Sequence, residues 1–322
     1  MRAIRLTELG APFNLEDIPA PDAKGTSLKV LLKCAALNRR DYWMQQGQYP
    51  GIALPVTPGS DGAGICNGHE VVINPGLFWG DKEEYQSSDF HILGMPEDGT
   101  LAEEAIIPAE NIHEKPSHLT WEEAAALPLA GVTAFRALFT QGQAKPGEKL
   151  LITGIGGGVA LTAMQFAIAS GMEVCVTSGN DEKLSNATAL GAIGTANYHR
   201  ADWTKDLSKA HGLFDIILDS AGGDSFNHLL KLVRPGGRII VYGGTQGKIQ
   251  NLSPQVLYWR QITLRGTTMG SQKDFGDMLK FVSEHQIRPV VDAVFEMDQI
   301  NDAVAKLRDG TQFGKVVVRI TP

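Results

Sequence analysis

Apolar and polar residues change their rhythm twice along the chain. Up to about residue 121 the pattern is one of short apolar runs separated by turns. Residues 28–36 are an apolar, β-rich run, residues 59–66 read as a turn feeding a strand, and residues 68–73 as a turn and then a strand. Residues 74–99 are rich in Gly, Asp and Ser with little periodicity, a connection long enough either to serve a site or to be loosely ordered. From Thr120 the rhythm becomes helical. Thr120 and Glu123 form a capping box that opens Ala-rich helix sequence, broken at Pro128. Strands at 149–153, 173–177, 214–219, 238–242 and 261–266 then alternate with helices at 159–170, 181–190 and 226–233. A turn at Pro235-Gly236-Gly237 precedes the fourth of these strands. This alternation predicts βαβ units and a doubly wound parallel sheet. The tail reads as helices at 273–285 and 297–307 and a strand at 315–320. Strand-like sequence at both ends predicts that the tail folds back on the first part. The expected domains are therefore 1–121 with 270–322, β-rich, and 122–269, α/β.

Length agrees with two domains: 322 residues against roughly 150 per domain. A net charge of −7 argues against a dedicated nucleic-acid or anionic-membrane binder. Glycine, 36 residues, is in excess but has no collagen-like period; it clusters between apolar runs, where backbones approach closely. Cys34, Cys66 and Cys175 are odd in number, widely spaced and match no metal pattern, which points to a reducing compartment. No run approaches the roughly 18 apolar residues of a membrane span. The first residues, Met1-Arg2-Ala3-Ile4-Arg5, carry no signal or transit features, so a cytoplasmic location is expected.

The strongest local signal lies at residues 151–160, where a strand runs into Gly154, Gly156, Gly157 and Gly158 and then into a helix from Val159. Glycines allow the turn and the close approach of a diphosphate, and the helix N-terminus supplies unpaired N–H groups. The strict G-x-G-x-x-G spacing is not met. Ala160 holds the helix-packing position, and Ile155 stands where the first glycine belongs. The end of the next strand chooses the cofactor. An acid there would take a ribose 2′-hydroxyl, but the sequence is Thr177-Ser178-Gly179-Asn180. Lys183 is within reach of a 2′-phosphate, and Tyr198 and Arg200 are further candidates, whereas Asp181 and Glu182 read as first-turn acids. NADP(H) is expected over NAD(H).

Several segments together carry a resemblance over essentially the whole chain: Ala36-Leu37-Asn38-Arg39-Arg40-Asp41, Gln46-Gly47-Gln48-Tyr49-Pro50, Pro58-Gly59-Ser60-Asp61-Gly62-Ala63-Gly64, residues 125–134, Asp219-Ser220-Ala221-Gly222-Gly223 and Gly314-Lys315-Val316-Val317-Val318. They resemble the medium-chain dehydrogenase/reductase superfamily, in its zinc-independent, quinone oxidoreductase-like branch. The resemblance implies a Rossmann domain beside a GroES-like catalytic domain, and a homodimer joined through the last strands, residues 261–265. It extends the cofactor surface to Thr133, Ser220, Ala221, Tyr242, Gly243, Gly244, Thr245, Thr268 and Met269. Zinc alcohol dehydrogenases carry a Cys near Asn38 and a Gly-His-Glu motif at the Pro58-Gly59 turn. Here the turn reads Gly59-Ser60-Asp61, and no Cys falls within 76–99. Gly68-His69-Glu70 mimics the motif but reads as surface turn chemistry. Cys34 and Cys66 read as small buried hydrophobes, and His91 and His113 stand alone.

Without a metal, the less demanding reactions are reductions of acceptors that are already electrophilic. The expectation is hydride transfer to a quinone or an α,β-unsaturated carbonyl. Asn38 is a candidate to bond the substrate carbonyl or cofactor ribose, or is a turn residue. Asp41 orients its neighbours or caps a helix. Tyr49 is similar in position to the tyrosine of mitochondrial-type enoyl-thioester reductases and donates a proton or packs in the core, with Tyr42 as the reserve donor. Thr133 matches the family threonine near the nicotinamide. The alternatives are a zinc-independent alcohol or aldehyde oxidoreductase, a 2-enoyl-thioester reductase using Arg39, Arg40 or Arg260 as phosphate binders, and, outside enzymes, an NADPH-binding sensor.

Overall fold

The ten-residue strand Ser27–Ala36 organises the first half of the fold. Along its start it pairs antiparallel with Glu104–Pro108, and along its end with the tail strand Lys315–Arg319, Ala36 standing opposite Val317. Its other edge carries Asp61–Cys66. The resulting sheet has seven strands, running from Val291–Glu296 through Lys315–Arg319, Ser27–Ala36, Asp61–Cys66 and His69–Ile73 to Ile112–Glu114. The expectation that the tail folds back on the first part is met strand against strand. Beneath the sheet lies a buried cluster that includes Ile4, Leu6, Val30, Leu32, Ile73, Leu101, Val316 and Val318. At roughly 25 cal/mol per Å2 of buried apolar surface, such side chains supply most of the driving force for folding.

The computed structural model describes residues 1–23 and 25–320. It separates into two units, one of residues 1–132 with the tail from 270, the other of residues 133–269. The sequence boundary at 121 falls earlier because helix Trp121–Ala126 lies on Ser27–Ala36 and Asp61–Cys66 of the first unit. The division itself falls inside helix Pro128–Phe135.

The second unit is a six-stranded, all-parallel sheet in the order Gly194–Asn197, Glu173–Ser178, Lys149–Ile152, Phe214–Asp219, Val233–Val241, Thr263–Gly266. This is the doubly wound Rossmann order 3-2-1-4-5-6, whose ligands bind beyond the carboxyl ends of the strands. The Pro235–Gly237 turn survives only as an irregularity in one strand. Pairing jumps from Phe214 opposite Val233 to Ile216 opposite Arg238. Thr263–Gly266 is the outer strand, exposed at every residue, and Trp259 just before it is 83% exposed. No helix among the described residues is long and apolar enough to cross a membrane.

The connection 74–99 is ordered. Its short strands Gly76–Leu77 and His91–Ile92 pair antiparallel, Trp79 and Phe90 meet edge to face, and Leu77, Leu93 and Met95 are buried. Its end lies against the Pro58–Ser60 turn. A methyl group built on Gly99 would stand 1.9 Å from the Gly59 carbonyl oxygen, so only glycine allows this approach.

Candidate active site

The glycine turn follows strand Lys149–Ile152 and opens helix Gly158–Ala169. Gly154 and Gly156 have φ of 68° and 128°, values that favour glycine. The turn is tied down from both sides. Ile155 N–H donates to the Thr177 carbonyl at 2.8 Å, and the Thr153 hydroxyl donates to Asp219 at 2.7 Å. The other Asp219 oxygen accepts from Gly222 N–H at 2.9 Å. The helix starts at Gly157 with no side chain capping it, so its first N–H groups and the dipole are offered to an anion. A methyl on Gly156 would stand 3.2 Å from Lys183 Nζ. A turn of this shape fits a dinucleotide diphosphate.

A second recess forms at the end of strand Glu173–Ser178. Ser178 is buried, and its hydroxyl oxygen accepts from Asn180 N–H at 3.2 Å. Asn180 caps helix Asp181–Ala189 by accepting from Lys183 N–H at 3.1 Å. A methyl on Gly179 would stand 2.8 Å from the Tyr198 hydroxyl and 2.5 Å from His199 Nε2. Of the residues expected from the sequence, Ser178, Lys183 and Tyr198 lie at or next to this strand end; His199, a single polar residue after a strand, carries no periodic signal. Asp181 is engaged elsewhere, accepting from Asn197 Nδ2 at 2.8 Å and facing Arg200 at 3.6 Å.

The remaining cofactor candidates fall into two groups. Tyr242 N–H donates to Asp219 O at 2.9 Å, Thr245 N–H to Ser220 O at 3.2 Å and Gln246 N–H to Ala221 O at 2.8 Å, which knits residues 219–221 to residues 242–246 and brings Gly243 and Gly244 with them. Burial pushes the Tyr242 phenol upward, against a hydrogen bond with Ser220. The Thr133 hydroxyl lies 3.9 Å from Met269 Sδ, which adjoins the exposed Thr268.

In the first unit the structure gathers Asn38, Asp41, Asp61 and Lys315 into a buried polar cluster. Lys315 Nζ donates to Asp61 Oδ2 at 2.8 Å and to Asn38 Oδ1 at 2.7 Å. Asn38 Nδ2 donates to the same Asp61 oxygen at 2.8 Å. The other Asp61 oxygen accepts from Leu129 N–H at 2.7 Å, in the first turn of helix Pro128–Phe135. Asp41, fully buried, accepts from Asn38 N–H at 2.7 Å and Gly59 N–H at 3.3 Å. Burial raises the Asp41 carboxyl pKa, while the nearby Arg40 charge and the Asn38 N–H act in the opposite direction. Both polar atoms of the Asn38 amide are thus engaged inside the chain.

Arg40 is also buried. Its Nη1 donates to Ser60 Oγ at 2.5 Å and to Leu93 O at 2.7 Å, and its Nη2 to Ile92 O at 3.3 Å. The guanidinium lies 5.1 Å from the Tyr49 ring centre. The Tyr49 hydroxyl makes no hydrogen bond to the described residues, whereas Tyr42 packs on the core of the first unit. Arg39 donates to Arg308 O at 3.4 Å, at the end of helix Ile300–Asp309, and Arg260 donates to Leu230 O and Val233 O. All three arginines considered for a thioester's phosphates are therefore bonded to backbone carbonyls.

The residues do not fit a zinc ion. Asn38 and Ser60 stand in the segments where zinc members carry Cys and His; Ser60 accepts from Arg40 and donates to Leu93 O at 2.9 Å, and the neighbouring charges include two cations. Cys34, Cys66 and Cys175 are buried free thiols, the first and last pushed up to about 12 by burial. His69 is exposed on its hairpin. Burial lowers the His113 pKa, and its ring lies against Phe275. No group of three His, Cys, Asp or Glu among the described residues is placed to hold a metal.

Lys315→Met leaves Asp61 buried without its cation. The expected loss of stability is about 3–5 kcal/mol, read as a lower urea midpoint. The double variant Lys315→Met/Asp61→Asn is expected to recover part of that loss.

Comparison with known proteins agrees with this architecture. Residues 24–117 match the alcohol dehydrogenase GroES-like domain family and residues 158–284 the zinc-binding dehydrogenase family. A zinc-type alcohol dehydrogenase-like protein, YogA, of Leptosphaeria maculans is 35% identical over 96% of this chain and 95% of its own. A crystal structure of an NAD-dependent alcohol dehydrogenase matches all of both chains at 34% identity and a TM-score of 0.94. The quinone oxidoreductase from Thermus thermophilus, solved also in complex with NADPH, matches at 30% identity over 99% of this chain and 100% of its own, with a TM-score of 0.84. A GroES-like β-rich unit, a Rossmann sheet in this strand order and relatives that span the chain end to end make it a member of the medium-chain dehydrogenase/reductase superfamily.

Proposed function

We propose that this oxidoreductase uses NADPH to reduce a quinone or an α,β-unsaturated carbonyl, without zinc. The observation that carries the cofactor choice is the strand end Thr177–Asn180, which itself holds no acid and has the Tyr198 hydroxyl beside Gly179, next to a glycine turn with Lys183 Nζ by Gly156. An acid at that strand end would repel a 2′-phosphate; these groups attract one. The reductive, metal-free reading is supported by the engaged Asn38 and Ser60 and by the two cations, Arg40 and Lys315, beside them. These features equip the site poorly for the alcohol oxidation named for some relatives, which needs a group to take the hydroxyl proton.

Bound NADPH supplies the hydride. The chain's own part is to bind, orient and protonate. The turn Gly154–Gly158 and the N–H groups from Val159 hold the diphosphate. Ser178, Lys183 and Tyr198 hold the 2′-phosphate. Thr133, Ser220, Ala221, residues 242–245, Thr268 and Met269 border the rest of the cofactor. Tyr49, its ring lying against Arg40 and its hydroxyl without a hydrogen bond to the described residues, supplies the proton that completes enone reduction, while a quinone that has taken the hydride needs one further proton and can draw it from water. Asn38 and Asp41 act as positioning residues: Asn38 fixes Asp61, and Asp41 fixes the Asn38 and Gly59 backbone. The exposed outer strand Thr263–Gly266, with Trp259 beside it, is proposed to pair with a second copy, giving a homodimer whose mass sedimentation equilibrium would register.

Steady-state assays with a naphthoquinone and an enone test the reading. Wild type is expected to oxidise NADPH with a lower KM than NADH. Lys183→Ala is expected to raise the NADPH KM about tenfold and leave NADH unchanged, as loss of one charge-assisted contact implies. Tyr49→Phe is expected to lower kcat for the enone about a hundredfold at constant NADPH affinity, with quinone turnover retained. Equal use of both cofactors, with Lys183→Ala neutral, removes the NADPH assignment; an unchanged enone kcat returns Tyr49 to packing.

A further inference from the structure

His199 is the unassigned group in the second recess. It follows strand Gly194–Asn197, its backbone is pinned by His199 N–H donating to Asn197 Oδ1 at 3.0 Å, and its ring stands edge-on to Tyr198 with centres 4.8 Å apart. The turn is anchored further by Tyr198 N–H donating to Ser178 O at 3.2 Å and by Asn197 Nδ2 donating to Asp181. Gly179 is what lets the ring come in: Nε2 lies 2.5 Å from where a side chain would start, beside the Tyr198 hydroxyl at 2.8 Å. Two hydrogen-bonding groups therefore converge on one backbone position at the strand end where a ribose 2′-substituent is read.

We propose that His199 binds the 2′-phosphate as an imidazolium, and so makes the preference for NADP over NAD rise as pH falls. The inference rests on the NADPH reading above. Histidine is the side chain whose unperturbed charge changes between pH 5 and 8, so an imidazolium at this strand end would add a cation as pH falls. The charged groups of its own turn and of the helices on either side of it in the chain set the sign. From helix Asp181–Ala189 come Asp181, occupied by Asn197 and Arg200, then Glu182 and Lys183. From its own turn come Tyr198 and Arg200, and from the start of helix Trp203–His211 comes Asp202, paired with Lys205 at 2.8 Å. With Asp181 and Asp202 already paired, a bound phosphate adds a counter-charge for the imidazolium to the one that Glu182 carries. Protonation of His199 then strengthens binding of the phosphorylated cofactor and leaves NAD, which lacks the group, unaffected. The second ionisation of a phosphate monoester, near pH 6, works the other way, so the effect is read against a variant without the imidazole.

The experiment is calorimetric titration of the full chain with NADP+ and with NAD+ at pH 6 and pH 8, for wild type, His199→Gln and His199→Arg. The NADP+/NAD+ affinity ratio of wild type, relative to that of His199→Gln, is expected to be about three- to tenfold larger at pH 6 than at pH 8, the size of one exposed charge-assisted contact. His199→Arg is expected to hold the higher ratio at both pH values. At pH 7, in buffers of different ionisation enthalpy, NADP+ binding is expected to take up a fraction of a proton that His199→Gln does not. Identical pH dependence and proton uptake in wild type and His199→Gln, with NADP+ still preferred, overturns the role of His199 and spares the cofactor reading. No preference for NADP+ at either pH overturns both.

Discussion

A lysine and an aspartate buried together hold the first unit in register. Lys315 and Asp61 are almost wholly out of water, and transferring two such charges costs several kcal/mol each unless every lone pair and proton is satisfied. Asn38 bridges the pair through both ends of its amide, and the Leu129 N–H takes the remaining carboxylate oxygen. One interaction thus ties the tail strand Lys315–Arg319 to the end of strand Ser27–Ala36, to strand Asp61–Cys66 and to the start of helix Pro128–Phe135. A pair of this kind adds little net stability over an apolar substitute, but it penalises every arrangement in which one partner is left alone.

The same cluster shapes the chemistry. Asn38, Ser60 and the carboxylates of Asp41 and Asp61 are all bonded within the chain. The Tyr49 phenol, without a hydrogen bond to the described residues, lies on a guanidinium that is held by Ser60 and by two carbonyls of the 74–99 connection. That arrangement suits a proton donor held in one orientation. In the second unit the governing constraint is steric. Gly156 and Gly179 have neighbours where a side chain would be, and those neighbours, Lys183, Tyr198 and His199, are groups that bind anions. The glycines matter because their absent side chains leave room for these groups.

Much of this was legible in the sequence, and the parts that were not share a cause. Strand, glycine turn and helix at 149–169 are contiguous, so periodicity and turn chemistry report them directly. The return of the tail showed as strand-like sequence at both ends. Partners far apart in sequence left no such trace. Asn38 reads as a substrate-facing amide until Lys315, 277 residues away, is seen bonded to it. Arg40 reads as a candidate phosphate binder, yet it is buried and bonded to a connection whose Gly, Asp and Ser content hid the pairing of Gly76–Leu77 with His91–Ile92. Arg39 and Arg260 looked available for phosphate and instead bond backbone carbonyls at helix ends. His199 has one polar neighbour pattern among many, and only the missing Gly179 side chain reveals its direction.

The most direct measurement is the zinc content of the purified chain beside its turnover of a naphthoquinone with NADPH, before and after treatment with a chelator. A protein without zinc that turns over fully in both conditions is the predicted result. Stoichiometric zinc whose removal abolishes turnover would contradict the account.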